Sequence, residues 1–181
     1  MHCSHTVAAL ESYIGLVEMG VGLLPAGGGC KELAVNAAEN AGDNDVFPFL
    51  VKAFENVAMA KVSASALEAK EMGLLKWSDT IVFNSFELLH VAKAKAVGMY
   101  EGGYRPPLAA QVKVVGKPGI ANFKANLVNM MQGKFISEHD MEIASRIADT
   151  LCGGEVVAGS IVNEDWLNTL EREHFMALLQ N

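Results

Sequence analysis

Glu18 is the only charged residue between Ser12 and Lys31. A carboxylate in so apolar and glycine-rich a stretch is costly to bury unless it is paired, exposed or kept partly protonated. Two readings stay open: a general acid or base tuned by its surroundings, or a glutamate at a bend with its head in water. Downstream, Gly22, Pro25 and the run Gly27 to Gly29 let the backbone pass close to a partner and then open a helix near Cys30 to Ala38. A helix begun in this way presents unpaired N–H groups. Cys30 at its start would have its thiol pKa lowered, although no histidine is near it in sequence to act as base.

The nucleotide-binding patterns that such glycines suggest both fail. Gly22 and Gly27 have the spacing of a phosphate-binding loop, but Gly28 stands where the lysine belongs. Gly20-Val-Gly22 should be followed by a third glycine where Pro25 is found, so no dinucleotide-binding domain is supported and no residue here is expected to bind NAD. His2, Cys3 and His5 are metal-ligand types, crowded at one end without distant partners, and no metal is expected. His139 lies between Glu138 and Asp140 and reads as part of a solvated helix start. His90 and His174 fall among apolar helical neighbours and read as packing histidines.

The elements that would position these groups belong to a packed protein. The 181 residues are 51% hydrophobic and 19% charged, enough for one domain with a real core. A formal net charge of -7 offers no attractive field to a phosphate backbone, which argues against nucleic acid. Three widely spaced cysteines fit a reduced, cytoplasmic protein better than a disulfide scaffold. No apolar run reaches the ~18 residues of a membrane span, and the start lacks the pattern of a signal peptide.

A β-prone run from Thr6 to Ala9 precedes the Glu18 segment, and Asn40 to Asp45 is a polar turn. Phe47 to Ala60 reads as one helix or a broken pair. Ser65 and Glu68 form a capping box for a helix over Ala66 to Met72, closed by Gly73. Thr80 to Phe83 reads as a strand, and Asn84 caps a helix running toward Gly102-Gly103. Pro106 to Pro118 is an irregular excursion, either a lid or an edge strand. Three helices follow: Ile120 to Gln132, Ser137 to Leu151 with Met141, Ala144, Ala148 and Leu151 on one stripe, and Glu164 to Leu179 with Leu167, Leu170, His174 and Leu178.

Two segments carry a resemblance. Val17-Glu-Met-Gly-Val-Gly-Leu-Leu-Pro-Ala-Gly-Gly-Gly-Cys-Lys-Glu-Leu33 is similar to the crotonase family's pattern of a glutamate, a proline seven residues on, a glycine run and a helix. Val62-Ser-Ala-Ser-Ala-Leu-Glu-Ala-Lys-Glu-Met-Gly-Leu-Leu75 is similar to a helix of that family. The match covers roughly residues 1 to 100, as a core-derived segment, with 101 to 181 as a helical extension and C-terminal helices. The layout looks most like the crotonase module of bacterial fused 3-hydroxyacyl-CoA dehydrogenases of fatty-acid β-oxidation.

The resemblance implies an α/β fold of ββα-spiral type, of which this chain is mainly the helical C-terminal part with a few short strands. It implies an enoyl-CoA hydratase or isomerase acting on 2-enoyl-CoA thioesters, with Glu18 as acid or base and Val17, Pro25 and Ala26 at the thioester end. Glu18 matches the family's second glutamate, whereas the oxyanion glycine and the first glutamate belong to a stretch ending just before Met1. Gly27-Gly-Gly-Cys30 only mimics it, with Lys31 in place of the glutamate. The expectation is therefore a partial module, inactive alone, lacking its N-terminal half, with exposed apolar surface and a tendency to form homo-oligomers. NAD would belong only to a fused dehydrogenase module. The rival expectation is a non-catalytic segment serving oligomer or interdomain packing.

Overall fold

In the computed structural model, residues 1–180 are described and form a mixed α/β protein, predominantly helical with few short strands. The helices are α1 (Gly29–Ala41), α2 (Phe47–Ala58), α3 (Ala66–Glu71), α4 (Leu88–Glu101), α5 (Gly116–Gln132), α6 (Glu138–Cys152) and α7 (Glu164–Leu179). The strands are β1 (Val7–Ala9), β2 (Thr80–Val82), β3 (Gln111–Lys113) and β4 (Ile161–Asn163). The mainly helical α/β class expected from the sequence holds. No helix among the described residues is long and apolar enough to cross a membrane.

The chain divides into two compact units. The first comprises Met1–Gly15 and Val62–Leu108. In it β1 pairs in parallel with β2, Val7 opposite Thr80 and Ala9 opposite Val82. The buried Asp79 accepts hydrogen bonds from Thr6 N at 2.8 Å and Lys76 N at 2.8 Å, and so fixes the start of this pair. His5 meets Thr80 Oγ1 through Nε2 at 2.9 Å, a strand-anchoring contact. Ser65 caps α3 by accepting from Glu68 N at 3.2 Å, but the returning arm of the expected capping box goes one residue further back, where Glu68 Oε2 accepts from Ala64 N. Asn84 caps a short 3-10 turn, Ser85–Glu87, which leads into α4.

Helix α4 has no buried residue. In the turn before it Phe86 is 94% exposed, on it Leu89 is 81% exposed, and Leu108, seven residues past its end, is 95% exposed. A helix this apolar gains little stability from its own unit, because helices in water depend on burying one face.

The second unit comprises Leu16–Lys61 and Ala109–Asn181 and is organised around α6. That helix packs against α1, α2, α5 and α7. Ile143, Ala144, Ile147, Ala148 and Leu151 are at most 2% exposed, so two isoleucines join the stripe read from the sequence and broaden it. Each such isoleucine or leucine contributes roughly 1.5–3 kcal/mol by leaving water. Phe123 of α5 adds ring contacts with Phe47 and Phe54 of α2, centroids 5.2 and 4.5 Å apart.

The ends of α6 explain its position. Ser137 accepts from Asp140 N at 3.1 Å while Asp140 Oδ2 accepts from Ser137 N at 2.9 Å, a full capping box. Those hydrogen bonds from Ser137, backbone first, hold the Asp140 carboxyl below its usual range. Gly153 closes the helix in the left-handed region at φ 82°. Ser137→Ala is expected to lower stability by about 1 kcal/mol, read as a shift of the urea midpoint with unchanged slope.

The segment before α5 proves to be an edge strand. Gln111–Lys113 pairs antiparallel with Ile161–Asn163, a partner too short to be read from the sequence. Helix α5 begins at Gly116, before the expected Ile120, because Pro118 in the first turn needs no intrahelical N–H partner.

Candidate functional site

Residues Glu18–Val21 form a single 3-10 turn, ended by Gly22 in the left-handed region at φ 83°. The turn is tied down at both ends. Leu23 N donates to Glu18 O at 3.1 Å, and His139 Nε2 of α6 lies 3.1 Å from Gly22 O. His139 is exposed in the first turn of α6, the solvated helix start expected from the sequence, and also contacts this turn.

Beyond the turn, Leu24 and Pro25 are buried, Ala26 and Gly27 are exposed, and Gly28 turns through φ 84° to start α1. Gly29 needs its missing side chain: an added Cβ would lie 3.0 Å from Leu16 Cδ1 and 3.1 Å from Pro25 Cβ. Val17 is exposed, so of the four residues assigned to the site from sequence, Val17 and Ala26 face outward, Pro25 lies in the core, and Glu18 is half-buried.

The glycine-rich start of α1 does not offer free N–H groups to an outside anion, because Glu171 of α7 occupies it. Glu171 Oε1 accepts from Gly28 N at 2.5 Å and Oε2 from Lys31 N at 3.0 Å. A carboxylate there is favoured both by the unpaired N–H groups and by the helix dipole. Glu171 is 2% exposed. Burial raises its pKa, against the hydrogen bonds from Lys31, Gly28 and Cys30 and the charge of Lys31, which lower it.

Burial outweighs these in the folded state, which sets the sign of a pH effect. A raised folded-state pKa means that protonation favours the fold. Glu171's contribution is then complete below the ordinary glutamate range and is lost as pH rises through its higher folded value. Wild type should lose stability relative to Glu171→Gln across that window, measured by denaturation at several pH values; parallel profiles would contradict it.

Beside this clamp, Lys31 is buried and bonds Glu32 and, at 2.8 Å, Glu164 Oε2 at the start of α7. Burial alone would lower its pKa; the hydrogen bonds to Glu164 and Glu32 outweigh it and hold the ammonium above its usual range. Glu164 Oε1 also accepts from Ala110 N at 2.7 Å, so one ion-paired cluster joins α1, α7 and the approach to β3.

Cys30 departs from the sequence expectation. Its thiol is fully buried, and burial first, then the charges of Glu171 and Glu18, push its pKa well up. Such a thiol is inert as a nucleophile. Cys152 is likewise pushed up to about 12, by burial and then Asp149. His174 packs between α7 and α6, its Nε2 2.7 Å from Asp149 Oδ2 and its Nδ1 3.3 Å from Arg146 Nη1. Among the described residues no three histidine, cysteine or acidic side chains lie close enough to hold a metal ion.

What remains chemically open is Glu18. Its Oε2 is enclosed and accepts no hydrogen bond from any described residue. An enclosed carboxylate oxygen without a donor is an unsatisfied acceptor, the costly arrangement that marks this glutamate out from the rest of the turn. Glu171, the residue that shapes the loop beside it, went unread in the sequence. The available signal was a glutamate four residues after Leu167 and seven before Leu178, inside the apolar stripe of α7.

Comparison with curated proteins finds a relative from Bacillus subtilis (strain 168), described as "Probable 3-hydroxyacyl-CoA dehydrogenase". It is 46% identical over 171 residues, which is 94% of this chain and 21% of that protein. The chain thus spans about a fifth of the length of the relative it matches. No family model matches the chain.

The relative's name corrects the reading as a crotonase-family enoyl-CoA hydratase or isomerase. The name is that of a dehydrogenase, and nothing in the comparisons carries a crotonase or hydratase description. Both motifs behind that resemblance have local physical accounts here. The glycine run is the turn that lets Glu171 cap α1. The serine and glutamate of the second motif are the cap of α3.

Proposed function

We propose that this chain is one module of a larger polypeptide that oxidises 3-hydroxyacyl-CoA thioesters in fatty-acid metabolism, with the nicotinamide dinucleotide held outside this module. The observation that carries the reading is the 46% identity, sustained over nearly the whole chain, to a fifth of a protein described as a dehydrogenase of such thioesters.

The residues present do not fit a dinucleotide. Such a site needs a parallel sheet with a glycine-rich strand-to-helix turn, whereas the described residues form two two-stranded sheets. Gly20 and Gly22 lie on a 3-10 turn, and the first turn of α1 is filled by Glu171. No hydride step is assigned to this chain. Its own contribution is to the thioester, where the half-buried Glu18 carboxyl is the acceptor for a donor on the acyl portion and Val17 and Ala26 form the exposed margin beside it.

The apolar exposure around α4 gives the module a second role, docking against the remainder of the larger polypeptide. The test of both is NADH formation from 3-hydroxybutanoyl-CoA. The isolated chain is expected to form none, and the larger polypeptide to lose activity when Phe86 and Leu89 are both replaced by serine. NADH from the isolated chain would overturn the assignment of the nicotinamide site, and full activity in the double variant would overturn the docking role.

A further inference from the structure

The second unit contains an open cleft of about 330 Å3, away from the Glu18 turn, between the start of α2, the end of β3, the first turns of α5 and the loop before β4. Its volume lies at the lower end of that of small-ligand sites. The floor is apolar: Val46 and Val114 are buried, and Phe47 and Pro118 complete it. Around it stand four polar side chains, Asn44, Asp45, Lys113 and Asn122.

Part of that polar capacity is already used locally. Asp45 Oδ1 accepts from Phe47 N at 3.0 Å, Asn44 Nδ2 donates to Ala41 O at 3.1 Å, and Asn122 Nδ2 donates to Pro118 O at 2.9 Å. What is left over at the rim is a set of acceptors, the second Asp45 oxygen and the two carboxamide oxygens, together with donors, the Lys113 ammonium and the second N–H of each carboxamide. A simple anion would meet Asp45, and a simple amine would meet Lys113. A secondary amide with apolar flanks satisfies both, its N–H on the Asp45 side, its carbonyl on Lys113 and its flanks on the valine and proline floor.

The geometry points to this cleft as a binding site for a short apolar chain carrying a secondary amide. That chemistry occurs in two sources, the pantetheine arm of an acyl thioester and an extended peptide. The proposal rests on the cleft and not on the acyl-thioester reading above.

The test follows the amide resonances of Gly119 and Gly159, which line the cleft, while the full chain is titrated separately with pantetheine and with N-acetyl-alanyl-valine N-methylamide. Saturable shifts at both glycines with either probe are expected, and the tighter probe identifies the source. Asp45→Asn, which keeps the Oδ1 acceptor for Phe47 N, and Lys113→Met should each weaken binding about tenfold. Ala158→Trp, which fills the cleft without touching its polar rim, should abolish it while circular dichroism stays unchanged. Absence of saturable shifts with both probes, or binding that Ala158→Trp leaves intact, would overturn the proposal.

Discussion

Glu171→Ala is expected to destabilise the protein by roughly 3 to 5 kcal/mol, the range for removing one partner of a buried charged pairing. The substitution leaves Gly28 N and Lys31 N without their acceptor, at a helix end whose third residue, the buried Lys31, also loses a nearby negative charge. Each unpaired buried donor costs about 1–3 kcal/mol. Water cannot easily replace the carboxylate, because Glu171 is enclosed between α1 and α7. Glu171→Gln keeps one carbonyl oxygen for one of the two donors, and roughly 1 to 2 kcal/mol is expected. Urea denaturation measures both, and a loss below about 1 kcal/mol for the alanine variant would mean that the clamp does not hold the glycine-rich turn.

Gly116→Ala should be as damaging, for a steric reason. Gly116 sits at φ +58°, and a Cβ there would lie 2.2 Å from Val156 O and 2.9 Å from Val156 C. These are backbone atoms, and Val156 O accepts from Lys117 N at 3.0 Å, so the loop cannot retreat without breaking that bond. The left-handed conformation alone costs a residue with Cβ roughly 1–2 kcal/mol. With the clash, roughly 3 kcal/mol or more is expected. Gly159→Ala separates the two terms, because Gly159 has φ +81° but open space around its Cβ position. It should show the conformational cost only, roughly 1–2 kcal/mol. Equal thermal shifts for the two variants would contradict the steric account.

The helices were legible where local chemistry writes their ends. Ser65 marks a boundary that the structure keeps, and Asn84 caps the 3-10 turn that leads into α4, because caps act within three or four residues. The pair β3 and β4 was half legible. Gln111–Lys113 follows two prolines and stands out as β-prone, whereas Ile161–Asn163 is three residues between a glycine loop and a helix cap. The stripe of α6 was read too narrowly, since Ile143 and Ile147 share the buried face with Ala144, Ala148 and Leu151.

The candidate site was less legible than the fold. Glu18 was visible as an isolated charge, and the structure encloses one of its oxygens. The fate of the helix start was not visible, because Glu171 lies 143 positions from Gly28. The glycine run taken alone describes an open anion cradle. The same run with Glu171 describes a closed one, and only tertiary packing distinguishes them. The Cys30 thiol follows the same logic: a helix start would lower its pKa, but full burial and two carboxylates push it the other way.

The central claim is that this chain handles the thioester and not the dinucleotide. Calorimetric titration with 3-hydroxybutanoyl-CoA and, separately, with NAD tests it most directly, using the intact chain and Glu18→Gln. The account predicts binding of the thioester, weakened about tenfold in Glu18→Gln, and no heat from NAD. Binding of NAD by the chain, or thioester binding that Glu18→Gln leaves unchanged, would contradict it.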